Sequence, residues 1–176
     1  MKRAWIIRLL AACAVIGFTI SAASADESGS VLAARLSGFN NVPPILTNGS
    51  GSFSAVVRGD TLTYRLSFSN LTTPVTQAHI HFAQRGVNGG IFIFLCGSAA
   101  TPGPAGTPAC PANGGTVTGT VGAAQVLGPT PDQGLAAGDF AGALRIIRSG
   151  DSYVNVHTTR FPAGEIRGQV RVGGDD

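Results

Sequence analysis

From Val31 onward, apolar and polar residues alternate in short runs separated by Gly, Pro, Asn and Asp. A period of two suits a β-strand with one buried face, because successive side chains point to opposite sides. The clearest run sets Leu62, Tyr64, Leu66 and Phe68 against Thr61, Thr63, Arg65 and Ser67. A second sets Ile166, Val170 and Val172 against Glu165, Arg167, Gln169 and Arg171. The same pattern predicts strands near 31–37, 51–57, 76–82, 90–95, 115–121, 140–148 and 151–158. Nine strands and no long amphipathic helix predict an all-β fold, a single-domain antiparallel sandwich or barrel.

Turn chemistry supports those boundaries. Arg58-Gly59-Asp60 and Ser149-Gly150-Asp151 each lie between strand-like runs and are predicted as hairpin tips, where glycine supplies positive φ cheaply. A hairpin also accounts for the Arg-Gly-Asp tripeptide without invoking integrin binding. Asn88-Gly89-Gly90 is predicted to join the strand near 76–82 to Ile91-Phe92-Ile93-Phe94-Leu95. The continuous apolarity of that run suggests burial on both faces and places the hairpin at the centre of the core. Residues 96–114, with Pro102, Pro104, Pro108 and Pro111, and residues 125–139, with Pro129 and Pro131, read as loops, the second with room for a helical turn.

The first 25 residues have the anatomy of an export signal: basic Lys2, Arg3 and Arg8, an apolar run from Leu9 to Ile20, and Ala23-Ser24-Ala25 as an A-x-A cleavage site. A lipoprotein site at Leu10-Ala11-Ala12-Cys13 is disfavoured, because Arg8 leaves little apolar run ahead of Cys13. The expected mature domain, residues 26–176, is secreted or periplasmic. The formal charge of +3 resides wholly in those three basic residues, so nine arginines face nine acidic residues in the remainder. A neutral domain with scattered arginines lacks the basic patch that nucleic acid requires, and no other stretch is long enough to span a membrane as a helix. In an oxidising compartment Cys96 and Cys110 are expected to pair; as metal ligands their C-x13-C spacing matches no usual zinc motif.

All three histidines lie in two similar stretches, Ala78-His79-Ile80-His81 and Tyr153-Val154-Asn155-Val156-His157-Thr158. Alternation puts His79 and His81 on one face of a strand, with His157 on the same side as Tyr153 and Asn155. Imidazole is a common ligand for copper and zinc, and two histidines two apart on a strand can share an ion. His79, His81 and His157 are therefore the candidate ligands of one mononuclear copper or zinc site. Asn155, Glu165 and Arg167 are candidates to orient them, Glu165 also as a fourth ligand or as an ion-pair partner of Arg167 or Arg160. A plain hydrogen-bond network is the alternative. No G-x-S-x-G elbow, histidine-containing triad or pair of catalytic acids is present.

The residues also resemble a known family, the CHRD domain, named after chordin and found singly in secreted bacterial proteins. The resemblance rests on Leu36-Ser37-Gly38, Asn41-Val42-Pro43-Pro44, Gly49 to Phe53, the first histidine strand with Asn88-Gly89, Tyr153 to Thr158, and Gly164-Glu165-Ile166-Arg167-Gly168-Gln169. It implies an extracellular all-β domain of Greek-key or immunoglobulin-like type and says little about activity. A more distant likeness is to copper/zinc superoxide dismutase, whose copper ligands include an H-x-H strand similar to His79 and His81. With three histidines in the whole chain, a two-metal enzyme of that type is excluded. The expected function is a secreted binding or structural module holding one transition-metal ion. The alternatives are a copper-dependent redox enzyme and a metal-free adhesive module with an extracellular protein or matrix partner.

Overall fold

The computed structural model describes residues 30–128 and 133–173; the expected export segment, together with Pro129 and Pro131, lies outside them. Among the described residues the strands are β1 (Val31–Ser37), β2 (Ser50–Arg58), β3 (Thr61–Ser69), β4 (Val75–Phe82), β5 (Gly90–Gly97), β6 (Gly115–Val121), β7 (Ser152–Thr158), β8 (Ile166–Gln169) and β9 (Arg171–Val172). They form one antiparallel sheet in the order β5-β4-β7-β8-β1-β2-β3-β6, with β9 pairing β1 beyond β8. The all-β single domain is thus as expected. Alternate residues of the strands, among them Leu32, Phe53, Leu62, Leu66, Ile80, Val154, Val156 and Ile166, meet in one apolar core. Each such side chain contributes about 1.5–3 kcal/mol by leaving water.

The two terminal strands, β5 and β6, approach each other, so the sheet nearly closes into a barrel. Tyr64 on β3 completes the closure: its hydroxyl donates to the Leu95 carbonyl on β5, and its ring lies against Gly119 on β6, where a Cβ would overlap it. The free edge of β5 is covered by its own loop. Cys96 and Cys110 are disulfide-bonded, and Gly97 exchanges backbone hydrogen bonds with Pro108 and Cys110. That covering satisfies donors and acceptors that would otherwise invite pairing with another chain. The β4–β5 hairpin therefore borders the seam of the barrel rather than its centre, although Phe92, Ile93, Leu95 and Cys96 are fully buried.

Residues 140–148 form not a strand but a helix, α1 (Phe140–Arg148). Phe140, Ala143, Leu144 and Ile147 are buried at i, i+3, i+4 and i+7, the spacing of a helical stripe. The adjacent β-branched Ile146 and Ile147 concealed that spacing. Asp139 caps the helix by accepting from the Gly142 amide at 2.8 Å. Gly150, at φ +82°, ends it, so Ser149-Gly150-Asp151 is a helix terminus and not a hairpin tip. The expected hairpin at Arg58-Gly59-Asp60 is present, with Arg58 opposite Thr61. The final strand divides at Val170, whose amide bonds the Ser152 carbonyl, so β8 lies between β7 and β1 while β9 pairs with β1 alone.

Candidate metal centre

Strands β4 and β7 are antiparallel neighbours, with His79 opposite Asn155, His81 opposite Tyr153, and Gln77 opposite His157. Because Ala78, Ile80, Val154 and Val156 belong to the apolar core, the odd-numbered residues share the other face. Strand β8 extends that face, with Arg167 opposite Asn155. It is not the wet face that alternation suggests. His79, His81 and His157 are 0 %, 7 % and 5 % exposed, and every residue of β7 is buried.

The three imidazoles converge. One ligand nitrogen from each lies within 4.8 Å of the other two. Nδ1 of His79 is 3.2 Å from Nε2 of His157. Two nitrogens bound to one tetrahedral ion at about 2.0–2.1 Å stand roughly 3.3 Å apart, so this pair has the separation of two ligands once Nδ1 is the unprotonated nitrogen of the His79 ring.

Loop carbonyls select the tautomers. Nδ1–H of His81 donates to the Gly89 carbonyl at 3.0 Å, and Nδ1–H of His157 donates to the Pro162 carbonyl at 2.9 Å. A carbonyl only accepts, so in the neutral ring Nε2 carries the lone pair. Nε2 of His157 then accepts from Nδ1–H of His79, which leaves Nε2 of His79 as a lone pair as well. Nε2 of His79 and Nε2 of His81 are buried without a hydrogen-bond partner, as is Oδ1 of Asn155. Gly89 makes this possible, because a Cβ there would overlap the Phe82 carbonyl.

The rings are held neutral. Burial pushes His79 down to about 2, with His157 and His81 adding to the effect. Burial likewise lowers His81 to about 4 against the opposing Gly89 bond, with His157 and Arg167 lowering it further, and it lowers His157 against the Pro162 bond. Neutral imidazole is the form that binds a metal.

Two aromatic side chains absent from the expected site pack against it. Phe94 meets His79 edge-on at 4.3 Å, and Tyr153 stacks on His81 at 4.6 Å with the rings 2° from parallel. Alternation put Tyr153 on the histidine face, but only the folded register shows the stack. Arg167 reaches the site through that ring: its guanidinium lies 3.4 Å from the Tyr153 centroid. It also donates to Asn88 Oδ1 at 3.0 Å and to the Val87 carbonyl at 2.7 Å.

Asn155 donates to the Ala163 carbonyl at 3.3 Å, which ties the β7–β8 turn bearing Pro162 to β7. Glu165 is fully buried, but its carboxylate is neither grouped with the imidazoles nor paired with Arg167 or Arg160. It accepts from the hydroxyls of Thr47 (2.6 Å), Thr72 (3.0 Å) and Thr158 (2.9 Å) and from the Thr72 amide (3.0 Å). Its place is to join three segments of the chain.

No curated protein and no solved structure matches the chain. The family model of the CHRD domain matches residues 32–170, a span that holds β2 to β8, nearly all of β1, the disulfide, Glu165, Arg167 and all three histidines. The chain therefore belongs to the CHRD domain family.

Proposed function

We propose that this is a secreted CHRD module that binds one transition-metal ion, copper or zinc, through His79, His81 and His157. The observation that carries the reading is the convergence of three buried, neutral imidazoles, one ligand nitrogen from each within 4.8 Å of the other two, with Nε2 of His81 left as a buried lone pair without a partner. A buried polar atom without a partner is costly, and acceptors alone are satisfied by a cation or by donors. The bonds from Nδ1 of His81 and His157 to backbone carbonyls fix the ring orientations, as such bonds do for histidines that hold metals. The disulfide fits an oxidising compartment.

Equilibrium dialysis of the purified, untagged protein against copper and zinc near neutral pH, followed by elemental analysis, tests the proposal. About one ion per chain is expected, and none in a His79→Ala/His81→Ala variant. Equal metal content in the two proteins would overturn it.

A metal-free reading has one observation in its favour, the direct His79–His157 hydrogen bond, which satisfies two ring nitrogens without an ion. It predicts no change in melting temperature on adding copper, zinc or chelator, whereas an ion held only by the folded state raises stability. The redox-enzyme reading needs a coordination position open to substrate, and rings at most 7 % exposed do not favour it.

A further inference from the structure

We infer that the histidine site selects a singly charged ion, cuprous copper, over the doubly charged zinc and cupric ions. This rests on the metal-binding reading proposed above and specifies the charge of the ion. Three neutral imidazoles bring no negative charge to their ion. Glu165, the one buried acidic residue among those described, is occupied by Thr47, Thr72 and Thr158. The other acidic side chains among the described residues are spent elsewhere: Asp60 in the β2–β3 turn, Asp139 as the cap of α1, Asp151 on Ser149.

The formal charge stacked behind the site is positive. Arg167, 2 % exposed, lies on the far side of the Tyr153 ring from His81. The cost of burying an ion rises with the square of its charge, and repulsion by Arg167 rises in proportion to it. Both terms therefore fall more heavily on a dication. Ligand number points the same way. Among the described residues three groups converge, enough for a d10 cuprous ion, whereas zinc takes four ligands and would draw a further one from solvent into a buried site.

The full chain, freed of metal, is titrated anaerobically with Cu(I) and separately with Zn2+, each against a chromophoric competitor, and the copper-loaded protein is challenged with excess Zn2+. One Cu(I) per chain, retained against zinc, is the expected result. Displacement of Cu(I) by Zn2+, or preferential retention of Cu2+ in air, overturns the inference and leaves the metal-site reading standing. Failure to hold any ion overturns both. The reduction potential of the bound copper then isolates the contribution of Arg167. Arg167→Gln is expected to lower it by ~59 mV, a tenfold loss of preference for the reduced ion, while Arg167→Lys stays near the wild-type value. Equal shifts in the two variants overturn the electrostatic account. Should neither variant fold, the wild-type competition still decides.

Discussion

His157 donates through Nδ1 to the carbonyl of Pro162 at 2.9 Å, and that one bond turns the lone-pair end of the ring toward His79. The relationship ties a ligand candidate on β7 to the turn that leads into β8. Gly89 does the same for His81 from the β4–β5 hairpin. Two loops, each next to a histidine strand, thus aim two imidazoles at one point, as the proposed ion requires. Such preorganisation lowers the ordering cost of binding.

The metal-free protein should lose stability as pH falls. Unfolded histidines take up protons below about pH 6.5, whereas burial lowers His81 to about 4 and His79 to about 2 in the folded state. Between those values the unfolded chain binds more protons, so unfolding becomes easier with each unit of acidification. The slope is up to about 1.4 kcal/mol per pH unit for each imidazole, and these groups add nothing above about pH 7. Urea unfolding with chelator present, between about pH 7.5 and about pH 4.5, measures it. An unchanged midpoint down to about pH 5 would contradict the buried neutral cluster.

Glu165→Gln should cost about 1–3 kcal/mol of stability, because three hydroxyls and an amide lose a charged acceptor inside the protein. Metal uptake should remain at the wild-type ratio, since the carboxylate serves threonines and not the ion. Denaturant midpoints and elemental analysis on one preparation separate the two effects. Loss of metal with intact folding would make Glu165 a ligand after all.

Barrel closure can be tested from either side of the seam. Tyr64→Phe strands the Leu95 carbonyl and is expected to cost about 1–3 kcal/mol. Gly119→Ala places a methyl against the Tyr64 ring and should be destabilising by a similar amount, about 1–3 kcal/mol of overpacking. The combination Gly119→Ala/Tyr64→Phe should be less severe than the sum, because both changes act on one contact. Strict additivity in thermal unfolding would count against that contact.

Replacing Cys96 and Cys110 by serine should lower stability by about 3 kcal/mol, the chain-entropy value for a closed loop of this size. The separation of the two residues is 14 positions. Reduction of the wild-type protein should have the same effect on the unfolding midpoint. Hydrogen exchange at Gly97 and Cys110, whose amides bond across the loop, should quicken first, as the loop that covers the β5 edge loosens.

Much of the barrel was legible because its strands are amphipathic. Leu62, Tyr64, Leu66 and Phe68 declare one buried face, and Gly59-Asp60 marks a two-residue turn, so β2 and β3 fall where expected. Phe140 to Arg148 was misread because nine residues with adjacent isoleucines fit a strand as readily as a helix. The Asp139 cap and the terminal Gly150 were the signals that distinguish them. The Ser149-Gly150-Asp151 expectation failed for the same reason, since a positive-φ glycine ends helices as well as turning hairpins.

By itself, the sequence determined the strand alternation, the side-by-side His79 and His81, the family motifs and the upper limit of three imidazoles on one ion. These are local properties, set by side-chain period and residue count. Only the tertiary structure decided that the histidine face is dry, that Tyr153 stands between His81 and Arg167, and that Glu165 belongs to Thr47, Thr72 and Thr158. Those contacts join residues from 7 to 118 positions apart, on different strands and loops, and strand register and loop closure brought them together. Period two says which residues share a face; what covers that face depends on how the rest of the chain packs over it.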